Sequence, residues 1–222
     1  MKYKLREIKD GIFLAEFDNH YDLAMTFLRY QEFYESANPK FKGRRFIILD
    51  YMEWYSKNHK GLFTYPADWA GFNIPMSVVF EVQSSYPGMG PIKDFNKYDE
   101  LMKQIVLKIE KKKERKSNGY RSMGKKYIIG ALEGKKSVMK HEIAHGLYHV
   151  YPYYKIDMDK LYSKLSKESK KKLEVEFESM GYHKSVWKDE AQAYLSTGDY
   201  LTPEERKPFQ DLLKKFLKDV KL

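Results

Sequence analysis

One pentapeptide restricts this chain more than anything else in it: His141-Glu142-Ile143-Ala144-His145. The pattern gains a chemical meaning on a helix, where residues i and i+4 share a face about 6 Å apart. Two neutral imidazoles so placed can both reach one Zn²⁺ at about 2.0–2.1 Å. Glu142 lies about 100° round the helix from His141, too far to join them easily as a ligand. It can instead take the proton of an activated water. Histidine is scarce, with six in 222 residues, so an accidental match is on the order of one in a hundred. The alternative is a helix with two solvent-facing histidines.

The flanking residues favour a site. Met139, Ile143, Gly146, Leu147 and Val150 fall on one side of the helix, and His141, His145 and His149 on the other, with Glu142 beside them. His149 would stand about 12 Å along the axis from His141. One ion cannot bind both, so His149 reads as a cleft-wall or surface residue. A third ligand comes from the segment 185–195. Its apolar stripe is Trp187, Ala191, Tyr194 and Leu195, and Glu190 lies at the centre of that stripe. A carboxylate on a buried face is costly unless a cation meets it. Asp189 points away from the stripe and is the weaker candidate. The alternative for Glu190 is a rim carboxylate paired with a lysine.

His141-Glu142-x-x-His145 followed by Glu190 on a second helix resembles the zincin metallopeptidases in their gluzincin arrangement. Glu190 lies 45 residues after His145, and this spacing and the run Asp189-Glu-Ala-Gln-Ala-Tyr194 are similar to lethal-factor-type peptidase domains. The similarity spans about residues 125–196, and no close family resemblance is evident in residues 1–120. The resemblance implies an α+β zincin-like fold: a small sheet with helices above the metal helix, and a mostly helical C-terminal part. Residues 1–222 would form one domain, with 1–150 containing the sheet and 151–222 supplying the third ligand. It implies one Zn²⁺ per chain on His141, His145 and Glu190, Glu142 as general base, and a peptide or protein substrate. Tyr182 or His183, shortly before Glu190, would stabilise the oxyanion. Tyr127 to Ala131 would be an edge strand that binds extended substrate, an interior strand being the alternative. The Glu-x-x-x-Asp pattern of thermolysin-like members is absent, because Tyr194 stands four residues after Glu190. The hydrogen-bond partners of the histidines are thereby unassigned.

The chain contains no cysteine, which excludes a disulfide framework, a thiolate-ligated zinc and a cysteine nucleophile. It also argues against the peptide-deformylase use of the motif, which needs a Cys ligand. Residues 1–10 carry no apolar run of signal-peptide length, and no stretch reaches transmembrane length. A cytoplasmic protein without a membrane partner is the default expectation. The net charge of +10, from 41 basic against 31 acidic residues, raises nucleic-acid binding as a rival reading, an unlikely partner because the lysine runs 111–113 and 170–172 read as solvated helix faces. A second rival is a catalytically silent zinc-binding protein of the same fold, its cleft blocked by the aromatic stretch 62–75.

The remaining pattern predicts a strand at 11–17, a helix from about Asn19 or His20 to Tyr34, and a turn near Pro39 and Gly43. Asp50 reads as the N-cap of a helix over 51–58. Residues 62–75 read as a loop that folds over the core or lines a cleft. Alternation at Met76, Val78, Phe80 and Val82 suggests a strand, although a short helix fits too. A turn-rich break follows at 86–91, then a helix from Asn96 to Lys113, a break at 117–119, and a strand at 126–132. Two helices are expected at 157–165 and 166–180. Thr202, Pro203 and Glu205 form a capping box for the last helix.

Overall fold

The computed structural model describes residues 1–84, 92–111 and 125–220. Four strands form one mixed sheet, β1 (Tyr3–Lys9), β2 (Ile12–Phe17), β3 (Gly71–Pro75) and β4 (Tyr127–Leu132), in the spatial order β1-β2-β4-β3. β1 and β2 pair as an antiparallel hairpin turned at Gly11, which takes φ 77°. β2 and β4 run parallel, and β3 pairs antiparallel with β4.

The two-residue period of a strand divides the core into two layers. Phe13, Ala15 and Phe17 of β2 and Ile128 of β4 join one apolar cluster; Ile12, Leu14, Tyr127, Ile129 and Ala131 join the other. The first layer is built from α1 (His20–Glu35), α2 (Ile48–Asn58), α3 (Tyr65–Asp68), α4 (Met76–Gln83) and α5 (Lys97–Glu110). The second is built from α6 (Lys136–Val150), α7 (Pro152–Lys164), α8 (Lys167–Ser179), α9 (Trp187–Thr197) and α10 (Pro203–Leu217). The chain is therefore α+β, with a small sheet held between helices. A Cβ at Gly130 would come within 2.5 Å of the Phe27 ring, so the missing side chain lets α1 settle onto β4. Among the described residues, no helix is long and apolar enough to cross a membrane.

Polar groups fix the first layer. Arg29 is buried on α1, and its guanidinium bonds Asp99 at 2.9 and 3.1 Å, Asp94 at 3.0 Å and the Phe46 carbonyl. Asp99 also completes the capping box of α5 with Asn96. One carboxylate thus serves both as helix cap and as anchor for α1.

Five expectations need correction. The stretch from Met76 is helix, not strand: Met76, Val79 and Val82 are buried at helical spacing, while Phe80 is 48 % exposed. Pro75 sits where its missing N–H would face away from β4; Met76 N–H still donates to the Lys126 carbonyl at 3.0 Å, and the chain then turns into the helix from which the valines pack. The strand of this region lies earlier, inside the aromatic stretch read as a loop. β4 is an interior strand, covered by β2 on one side and β3 on the other, so the edge next to α6, the helix that carries His141 and His145, belongs to β3. Finally, α2 begins at Ile48, whose N–H donates to Asp94 Oδ2 at 2.7 Å; Asp50 sits in its first turn and does not cap it. α7 starts at Pro152, earlier than the expected 157, because proline is suited to the first helical position. The break at 86–91, the end of the lysine run at Lys113 and the break at 117–119 lie outside the described residues.

Candidate metal centre

α6 packs against β3, β4 and α9, which brings the two halves of the site together. His141, Glu142 and His145 come from α6, and Glu190 from α9. His141 Nε2 and His145 Nε2 stand 3.3 Å apart, and Glu190 Oε2 is 3.7 Å from His145 Nε2. The three ligand atoms lie within 4.8 Å of one another. Ligands bound at about 2.05 Å on a tetrahedral centre stand about 3.3 Å apart, so one ion fits between the rings.

The hydrogen bonds on the far side of each ring decide which nitrogen faces this point. Thr197 Oγ1 gives its single proton to the Ala193 carbonyl at 2.8 Å, so at 3.0 Å it accepts from His141 Nδ1–H. His141 Nε2 then carries a lone pair. His145 Nδ1 donates to Asp189 Oδ1 at 2.9 Å. The same oxygen accepts from Gln192 Nε2 at 3.0 Å, and Gln192 Oε1 accepts from the Tyr154 hydroxyl at 3.0 Å. This chain of bonds fixes the ring plane.

The charges also converge. Burial, helped by the neighbouring imidazole, pushes His141 down to about 3. Burial works against charge on His145 too, but the carboxylates of Asp189 and Glu190 outweigh it and hold its pKa well above the ordinary value. Burial lifts Glu190 to about 8 against the pull of His145. Glu190 is 1 % exposed and its Oε2 has no hydrogen-bond partner. An orphaned buried carboxylate oxygen beside two imidazole nitrogens is a donor set that suits a divalent cation such as zinc.

Glu142 stands beside the ligands without joining them. Its Oε2 accepts from Asn73 Nδ2 at 2.7 Å, and Asn73 Oδ1 accepts from the Tyr127 hydroxyl. Burial raises the Glu142 pKa, and the Asn73 amide pulls it back. Gly71 makes room: a Cβ there would lie 2.5 Å from Glu142 Oε1. The Asn73 N–H turns away from β4 and donates to Gln31 Oε1 at 3.3 Å, so Asn73 and Gly71 present backbone groups at the free sheet edge.

His141, Glu142 and His145 open on a cleft of about 730 Å³. Of the two expected oxyanion partners, Tyr182 lines this cleft and His183 does not; His183 Nδ1 meets the Ser185 hydroxyl at 2.9 Å. Tyr194, read from sequence only as part of an apolar stripe, also lines the cleft and packs its ring 4.7 Å from that of His141. The His149 ring lies tilted, 5.1 Å from that of Tyr127, outside the cluster of His141, His145 and Glu190.

Asn73, Asp189 and Thr197 are the residues that sequence reading missed in these roles. Asn73 gave no signal, since it reaches Glu142 only through sheet pairing. Asp189 and Thr197 were findable: both share a helix with Glu190, and Thr197 lies two turns beyond it on the same face. Asp189→Asn should lower zinc affinity about 10- to 100-fold, because an amide oxygen can still accept from His145 Nδ1 and Gln192 Nε2 but lacks the negative charge that makes the His145 ring a stronger donor to a metal. Competition against a chromophoric chelator measures this; a change below about two-fold would remove the orienting role.

No family model, no curated protein and no solved structure matches this chain.

Proposed function

We propose that the chain is a zinc-dependent metallopeptidase of zincin-like fold in the gluzincin arrangement. The observation that carries this is the orphaned Glu190 Oε2, aimed at the same point as the His141 and His145 nitrogens, with Glu142 beside it at the mouth of a cleft. Zinc held there would supply Lewis acidity toward a water and a scissile carbonyl. Glu142, held by Asn73, takes the proton of the attacking water and delivers it to the leaving amine. Tyr182 and Tyr194 are the cleft hydroxyls available to the developing oxyanion. β3 is the edge strand beside the cleft, and its outward main-chain groups would partner an extended peptide, with the Asn73 N–H, bonded to Gln31 Oε1 in this structure, released on binding. Residues 68–73 line the cleft without filling it, which speaks against the silent, blocked alternative.

The test is elemental analysis followed by hydrolysis of a peptide mixture. The expected result is about one zinc per chain, with cleavage that a chelator abolishes and added zinc restores. Failure to take up zinc at neutral pH would overturn the proposal; zinc without cleavage of any peptide would leave the silent reading.

A further inference from the structure

The cleft inverts the charge of the protein. The chain carries 41 basic against 31 acidic residues, yet among the described residues no Lys or Arg lines the cleft, while Glu32, Glu35 and Asp68 do. Asp68 is engaged by the hydroxyls of Thr64 and Tyr55. Glu32 is likewise approached by hydroxyls, those of Tyr51, Ser36 and Tyr65, all of them neutral donors, and Glu32 and Glu35 form a pair. They occupy the last turn of α1, three residues apart and hence neighbours on the helix surface. Glu35 is 5 % exposed, and its Oε2 accepts from the Gln31 amide, a neutral donor. Lys42 lies within electrostatic reach of Glu35, but its ammonium is held on the Tyr34 carbonyl and 5.3 Å from the Tyr34 ring centroid.

Two further features point to a ligand. Tyr65 is fully buried, and its hydroxyl finds no partner in hydrogen-bond geometry although it is turned toward Glu32 and Glu35. Its hydrogen is directed at Glu32 at the floor of an acidic recess, and its lone pairs face the recess as spare acceptors. The walls of the same recess are aromatic: Tyr51, Trp54, Tyr55 and Trp69. Buried carboxylates, a spare hydroxyl and aromatic faces suit a group with an apolar stem and a cationic head.

We propose that this end of the cleft is a subsite for a cationic side chain, Lys or Arg, of the substrate peptide. The inference rests on the peptidase reading and adds the substrate class. The stem lies against the aromatic wall, and the head meets Glu32 and Glu35. A buried carboxylate pair without a cation is an unfavourable arrangement, so the occupied cleft is the better satisfied one. The cation could also come from a peptide's own N-terminus, and the experiment separates the two.

The test measures binding, so it does not require turnover. Zinc-loaded Glu142→Gln is titrated calorimetrically with N-acetylated alanine-leucine octapeptides in which one position, moved along the peptide, is Lys, Arg or norleucine. At one position Lys or Arg should bind about ten-fold or more tightly than norleucine. That ratio should collapse when Glu32→Gln or Glu35→Gln is added, with zinc content unchanged. Equal binding of all three peptides at every position would overturn the subsite. So would a ratio that survives both added variants, or a preference seen only in unacetylated peptides. A second zinc per chain that is lost with Glu32→Gln would overturn it in favour of a metal. Absence of cleavage by the wild-type protein would sink the peptidase reading alone and leave the binding ratio to stand or fall by itself.

Discussion

Glu142→Gln should keep about one zinc per chain and lose peptide hydrolysis by about two to four orders of magnitude. The two halves of this result have separate physical causes. Metal retention follows because Glu142 is not one of the three convergent ligands, and the glutamine has the same shape. It fits the recess that Gly71 leaves open, and its amide oxygen can still accept from Asn73 Nδ2. The local packing that positions His141 and His145 on α6 is therefore conserved. Turnover falls because an amide cannot take a proton from water. Elemental analysis and peptide assays on one preparation measure both halves. Full activity in the variant would remove Glu142 as the base. Loss of zinc along with activity would mean that the substitution disturbs the helix, and the assignment would then have no support from the experiment.

How much of this was readable beforehand depends on whether a feature is local. The helix of the candidate site was readable because His141 and His145 are four residues apart on one surface. Glu190 was readable through an energetic argument, a carboxylate at the centre of an apolar stripe, and it is indeed 1 % exposed. The Thr202–Glu205 capping box forms as expected, since all its atoms lie within one turn. Features made by distant segments were not readable. β3 is five residues of an aromatic stretch punctuated by proline and glycine, and it becomes a strand only because β4 offers it a partner. β1 alternates charged with apolar residues and has the same origin in β2. Asn73 reaches Glu142 across 69 residues of sequence. Glu32 and Glu35 look like ordinary polar positions of α1 until Tyr51, Trp54 and the β3 segment close round them. The valines at 78, 79 and 82 misled for another reason. β-branched residues favour strands on average, but burial at helical spacing decided the outcome here.

Glu190→Gln should invert the order of stability between metal-free and zinc-loaded protein. In the wild type without metal, the Glu190 carboxyl is buried with one oxygen unpartnered, and burial, joined by the Asp189 and Glu142 carboxylates, lifts its pKa to about 8 against the pull of His145. Glutamine of equal volume cannot ionise, which removes the cost that this shift records. The variant should therefore be at least as stable as the wild type in the presence of a chelator. Zinc changes the balance. Binding energies of about 10–16 kcal/mol shared over four ligands come to about 3 kcal/mol each, so loss of one carboxylate should weaken affinity roughly a hundred- to a thousand-fold. Stabilisation by a ligand grows with the logarithm of its concentration over the dissociation constant. At equal zinc, the wild type should gain about 3–4 kcal/mol more than the variant. Thermal melts of both proteins in chelator and in zinc read this crossing directly. Equal zinc-induced shifts in the two proteins would show that Glu190 is not a ligand. A variant less stable than the wild type even without zinc would show that the carboxylate is satisfied by the protein itself. In either case the orphaned oxygen would lose its meaning as a metal position, and the three-ligand centre would reduce to two histidines on one helix.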